Sequence, residues 1–223
     1  EGLAFARVVQ RLLERPLRAG LGADRHAEAL LLELLHELVE ARALRLAERH
    51  GRPAPVDRWR KARDDAYRDV IANGWNDHLE AFVQIHGSDV LDASILMMPL
   101  VGFVTPTDPR WLSTLDAIGR TLVSDSLVYR YDPKASPDGL RGEEGTFSIC
   151  TFWYVDALAR SGRLEAARLT FEKMLTYANH VGLYAEEIDP STGDHLGNFP
   201  QALTHAALIQ AALALRDTNR LRD

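Results

Sequence analysis

The stretch GLYAEEIDPSTGDHLGNFPQ, residues 182–201, sets two adjacent carboxylates, Glu186 and Glu187, between an apolar, aromatic lead-in and a turn rich in Pro, Gly, Asp and Asn. A second pair, Glu143 and Glu144, stands in the Gly-rich run DPKASPDGLRGEEG, residues 132–145. Phe147 and Trp153 lie near Glu143-Glu144, Tyr184 and Phe199 near Glu186-Glu187. Hydrolysis of a glycosidic bond needs one carboxylic acid to protonate the leaving oxygen and one carboxylate to activate water or attack carbon. Aromatic rings suit the apolar faces of sugars. Composition and spacing alone favour two solvated pairs on the surface over catalytic ones.

Other chemistries find less support. Cys150 sits between Ile149 and Thr151-Phe152-Trp153 with no histidine near in sequence to activate it, which fits a packed core thiol. The eight histidines form no HExxH motif and no pair at helical spacing, so no metal site is expected and no cofactor is called for. Asp189 to Asp194 lacks the alternate ligands and terminal Glu of a calcium loop and reads as a turn. The 139–145 run lacks the Lys-Ser/Thr of a phosphate cradle, and its two glutamates would repel phosphate. ALARSGRLEAARLTFEKMLTYAN, residues 157–179, looks like one unit of a helical repeat, but the pattern does not recur.

These side chains must be carried by helices. With 223 residues and 46% hydrophobic content the chain can fill a substantial core. The net charge of -6 gives no electrostatic reason to expect nucleic acid or an anionic membrane as partner. No apolar run reaches the roughly 20 residues of a bilayer span. One cysteine excludes an intramolecular disulfide, and the N-terminus is unlike a secretory signal, so a cytoplasmic location is the default. The chain begins without Met, which leaves room for an upstream segment.

Helical periodicity runs through most of the sequence. Helices are predicted from Ala27 to His50, stopped by Gly51 and Pro53, and from Val56 to about Val70, with Asp57 near the start and Gly74 as C-cap. LDASILMMPLVGF, residues 91–103, predicts a buried helix that stops in Thr105-Pro106-Thr107-Asp108-Pro109. Trp111 to Leu122 is amphipathic, 146–162 is apolar on most faces, and Arg163 to Asn179 is amphipathic again. Pro200 opens a last helix to about Arg216. Val128 to Tyr131 and Leu183-Tyr184 are the extended pieces. The fold class is therefore all-α with long polar loops, and such loops are functional more often than not.

Three segments in order, FVQIHGSDVLDASILMMPLVGFVTPTDPR (82–110), DGLRGEEGTFSICTFWYVDALARSGRLEAA (138–167) and VGLYAEEIDPSTGDHLGNFPQALTHAALI (181–209), resemble the C-terminal part of the catalytic domain of bacterial glucoamylase-like enzymes, glycoside hydrolase family 15, which also holds bacterial trehalases. The resemblance runs from about Ala43 to Leu215. It implies a partial (α/α)6 toroid of the six-hairpin glycosidase type, an incomplete ring of paired helices with a sugar pocket at one end. It also implies an inverting mechanism on an α-glucoside, a small neutral carbohydrate. The family's general base matches the first Glu of Tyr184-Ala185-Glu186-Glu187, so the role carries to Glu186. Glu187 is then its neighbour, either turned to structure or raising the pKa of its partner. Glu144 and Glu143 match a loop lining the pocket, Phe147 matches a position near an aromatic wall, and Trp153 suits wall or core. Tyr184 is expected beside the sugar. Asp89 and Asp92 fall in a shared segment where helix capping explains them equally well.

The chain departs from the family at its start. The family's general acid lies in a motif of the form Gly-Ile-Trp-Glu, and residues 1–42 contain no Trp and nothing similar. Glu33, Glu37 and Glu40 there fall on one solvated helix face. The expectation is a chain in two parts: 1–42, a helical segment unrelated to the family, and 43–223, the base-bearing part of the catalytic domain, as a fragment or rearranged copy without the acid. Its exposed apolar faces would then be covered by residues 1–42, by a missing N-terminal half or by a second copy. The alternative is a catalytically silent helical scaffold with at most weak sugar binding.

Overall fold

The computed structural model describes residues 43–51, 53–132 and 145–220. The predicted helix ending at His50 is helical over 43–50, and its part before residue 43 lies outside the described residues. Gly51 ends it with φ +58°, a conformation that a glycine adopts without penalty.

Helix α1, Val56–Asn73, ends on Gly74, whose N–H donates to Val70 O. A hairpin of two-residue strands follows, β1 (Trp75–Asn76) antiparallel to β2 (Ala81–Phe82). The run expected to form one helix over 91–103 is instead a 3-10 helix, Ala93–Met97, followed by a single α turn, α2, Met98–Val101. Two residues account for the break. Asp92 caps the 3-10 turn by accepting from Ser94 N–H at 2.7 Å, and Pro99, which has no N–H to donate, is placed in the first turn of α2. Gly102, at φ +83°, closes it. Asp92 is thus a cap, whereas Asp89 instead accepts from Asn76 Nδ2 at 2.7 Å.

Helix α3, Pro109–Thr121, is capped by Asp108, which accepts from Arg110 and Trp111 N–H. It buries Trp111, Thr114, Leu115, Ala117 and Ile118, the three- and four-residue steps of one helix face. A tight hairpin then pairs β3 (Val123–Ser124) with β4 (Leu127–Val128). Helix α4, Ser148–Arg160, is buried on most sides, and α5, Leu164–Leu175, folds back on it through Gly162 at φ +83°. Helix α6, Ala202–Arg220, packs on both.

α4 is the centre of the core. It contacts α5, α6 and the 3-10 helix, and its Phe152 ring, fully buried, meets Phe171 and Tyr184 edge-on at 6.2 and 5.5 Å. Buried threonines tie the short strands to the helices: Thr151 Oγ1 accepts from Val128 N–H at 3.0 Å, and Thr114 Oγ1 from Phe82 N–H at 2.9 Å. Each hydroxyl satisfies a strand N–H that would otherwise be buried without a partner.

Thr146 and Phe147, expected as helix, form strand β5. The 182–201 stretch, expected as loop, supplies β6 (Glu187–Ile188) and β7 (His195–Leu196). The three strands pair antiparallel in the order β5-β6-β7, while Leu183-Tyr184 is not a strand. Among the described residues no helix is long and apolar enough to cross a membrane.

Candidate active site

The three-stranded sheet places the Glu186–Glu187 pair. Phe147 faces Glu187 across β5 and β6, and Leu196 faces it from β7. Glu186 sits just before β6 with both backbone groups engaged: its N–H donates to Asn198 O at 2.9 Å, and its C=O accepts from Ser148 N–H, the first residue of α4, at 2.9 Å. Successive residues of an extended chain point to opposite faces. The two carboxyl groups therefore part company.

Glu187 turns inward. Its Oε2 accepts from Gly145 N–H at 2.9 Å, which clamps the start of β5 to β6. A Cβ on Gly145 would come within 2.8 Å of Ile188 O, so the close approach needs glycine. Of the two roles open to Glu187, the structural one has this bond behind it.

Glu186 is half-buried. Its Oε2 accepts from Asn198 Nδ2 at 2.7 Å and Asn198 N–H at 3.1 Å, and Oε1 stands outside these bonds. An ionised carboxylate only accepts, which suits two donors on one oxygen. The turn that brings Asn198 here passes through Gly197 at φ +72°, where a Cβ would lie 3.0 Å from Glu186 Oε2 and 3.1 Å from Glu186 Cβ. The turn before it is tied by its own side chain: Asp189 Oδ1 accepts from Ser191 N–H and Ser191 Oγ, holding its carboxyl below the usual carboxylate range. This bears out the reading of 189–194 as a turn. Among the described residues no group of three or more His, Cys, Asp or Glu is placed to hold a metal ion.

The aromatic residues divide differently from the sequence expectation. Tyr184 is a core residue: it is 1% exposed, its hydroxyl donates to Met174 O at 3.0 Å, and its ring packs in T-shaped contacts with Phe152 and His205. That packing leaves no ring face for a sugar. Trp153 is half-buried and packed against the core cluster. Phe147 is half-buried on β5, with the Arg130 guanidinium 5.8 Å from its ring centre and 5.4 Å from that of Tyr131. Phe199, by contrast, is 49% exposed and leans on His195 at 5.7 Å. Glu143 and Glu144 lie outside the described residues.

Sequence reasoning passed over Arg130 and Asn198. Arg130 C=O accepts from Ala93 N–H at 2.7 Å beside the capping Asp92, whose Oδ2 accepts from Gln84 Nε2, so 84, 92, 130 and 147 gather around one polar, aromatic patch. The signal available was an arginine between two tyrosines, Tyr129-Arg130-Tyr131. Cys150 lies beneath, buried, with burial pushing its thiol far above the ordinary range, as a core thiol should. A separate cavity of about 430 Å³ opens between the 43–50 helix, α1 and the end of α2, lined by residues such as Leu44, Tyr67 and Phe103. Of the described site residues, Phe147, Trp153, Tyr184, Glu186 and Glu187, none lines it.

Comparison with known proteins gives this geometry its setting. The chain is 45% identical over 172 residues to a trehalase of Mycobacterium tuberculosis, covering 77% of this chain and 25% of that protein. It is 41% identical over 175 residues to a trehalase of Thermoplasma acidophilum, covering 78% and 30%. The chain thus spans less than a third of the length of the curated relatives it matches. A bacterial glucoamylase solved in complex with acarbose superposes with a TM-score of 0.68 at 15% identity, over 84% of this chain and 33% of that one. Likeness at that level carries the fold, and the expected all-α architecture, part of an α/α toroid, holds. The model of the family "Glycosyl hydrolases family 15" matches residues 40–213, and the chain belongs to that family.

Proposed function

We propose that the chain carries the base half of an inverting glycosidase site that hydrolyses α-glucosidic bonds, with Glu186 as the general base and trehalose as the favoured substrate. The observation that carries this is the seat of Glu186. Its side chain is half-buried, stands just before β6, and is steered by two Asn198 donors on one oxygen while the other stays outside those bonds. A base that draws a proton from water needs an oriented carboxylate of this kind. Identity of 41–45% to trehalases, against 15% to a glucoamylase, favours trehalose over starch-like glucans.

Inversion requires a second carboxyl group roughly 6.5–9.5 Å from the base, leaving room for the water. Glu187 is occupied with Gly145 and residues 1–42 carry no motif like the family's acid segment, so we assign the general acid to a further segment or to a partner chain. Phe147, Phe199 and the Glu143-Glu144 loop are the wall we assign to the sugar, with Trp153 behind it.

Glucose release from trehalose and from maltose tests the reading. Glu186→Gln keeps the size and the hydrogen bonding of the side chain but removes the basic oxygen. It is expected to lower release by about 10²- to 10⁴-fold. Equal release above background by wild type and variant would overturn the assignment, and sugar binding without any release would favour the silent-scaffold reading.

A further inference from the structure

The extended run into Glu186 is sewn to the start of α6 by three bonds. Tyr184 C=O accepts from Gln201 N–H at 3.0 Å, Ala185 C=O from Thr204 Oγ1 at 3.4 Å, and Tyr184 N–H donates to His205 Nε2 at 3.3 Å. His205 Nδ1 lies 2.7 Å from Gln201 O. A carbonyl oxygen only accepts, so Nδ1 must carry the hydrogen. A backbone N–H only donates, so Nε2 must present its lone pair. The two contacts together admit one form of the ring, the neutral Nδ1–H tautomer. They also use the imidazole completely.

We propose that His205 is a positioning residue for Glu186, acting as the tautomer-locked acceptor that fixes the Tyr184–Glu186 backbone to α6. Without it, the Tyr184 N–H loses its partner beside a fully buried ring, and the run into the carboxylate is held to α6 by the other two bonds alone. The backbone bonds of Glu186 itself go to Ser148 and Asn198 and not to α6. Any catalytic consequence rests on Glu186 being the base. The positioning itself does not.

The test is therefore made without substrate. In ¹⁵N-histidine-labelled wild-type protein near neutral pH, the His205 imidazole should show a protonated Nδ1 and an unprotonated Nε2. A protonated Nε2 would overturn the proposal, whatever the variants do. Amide exchange at Tyr184 and Glu186 is then compared in His205→Gln, whose side-chain oxygen can replace Nε2 as acceptor, and in His205→Phe, which cannot accept. Exchange at both amides should rise by about five- to tenfold in His205→Phe, the scale of one lost hydrogen bond, and stay within about twofold of wild type in His205→Gln. Unchanged exchange in a folded His205→Phe, or equal loosening in both variants, would also overturn it. Loss of hydrolysis in His205→Phe with none in Glu186→Gln would sink the base assignment and leave these outcomes to decide the positioning.

Discussion

Asp156 on α4 is 3% exposed, with Oδ1 bound to Arg160 Nε at 2.6 Å and Oδ2 without a hydrogen-bond partner. Burial raises its carboxyl pKa above the ordinary 3.8, and Arg160 offsets this only in part. The folded state therefore holds the proton more tightly than the unfolded chain. The contribution to stability is full below 3.8 and is lost as pH rises through the raised folded value. Asp156→Asn removes the buried charge while keeping an acceptor for Arg160. It is expected to stabilise the protein by about 1 kcal/mol at neutral pH, with the gain shrinking towards about pH 3, in urea unfolding followed as a function of pH. A less stable variant at neutral pH would mean that the ion pair outweighs burial.

The β5-β6-β7 sheet converts a sequence of adjacent acids into two separate tools, because β geometry sends Glu187 to Gly145 and leaves Glu186 to the 197–198 turn. Gly197 is where that element is most exposed to a small change. A side chain there must adopt φ +72° and press on Glu186 Oε2 at 3.0 Å. Gly197→Ala is expected to cost about 1–2 kcal/mol in thermal or urea unfolding. If Glu186 is the base as proposed, displacement of its carboxylate should lower the proposed glycoside hydrolysis by a further 10- to 100-fold in kcat/KM. Wild-type rates in a folded Gly197→Ala would show that the turn does not aim the base.

At the level of the fold, one buried ring joins the parts. Phe152 on α4 touches Phe171 on α5 and Tyr184 on the run into Glu186, so the helices and the candidate base share a single packing centre. Phe152→Ala is expected to cost about 3–5 kcal/mol through lost burial and the cavity left behind, read from the urea midpoint, and to loosen Tyr184 with it. A cost under about 1 kcal/mol would mean that the core collapses around the gap. On the outside, Leu203 and Ile209 of α6 stand 65% and 60% exposed, in keeping with a chain that spans less than a third of its curated relatives.

Helix periodicity, the Gly74 cap and the Glu186 segment were legible from the residues alone, because each depends on neighbours a few positions away: Gly74 after Val70, the apolar steps from Trp111 to Ile118. The ordered family motifs likewise pointed to part of an α/α toroid. Long-range pairing lay beyond that reach. Strands of two residues have no periodicity to read, and β5 exists only because residues about forty positions later lie beside it. The same pairing decided that Glu187 is a clamp, that Tyr184 is core and that Asn198 and His205 hold the Glu186 run, since hydrogen bonds across the chain, not local composition, select where each side chain goes.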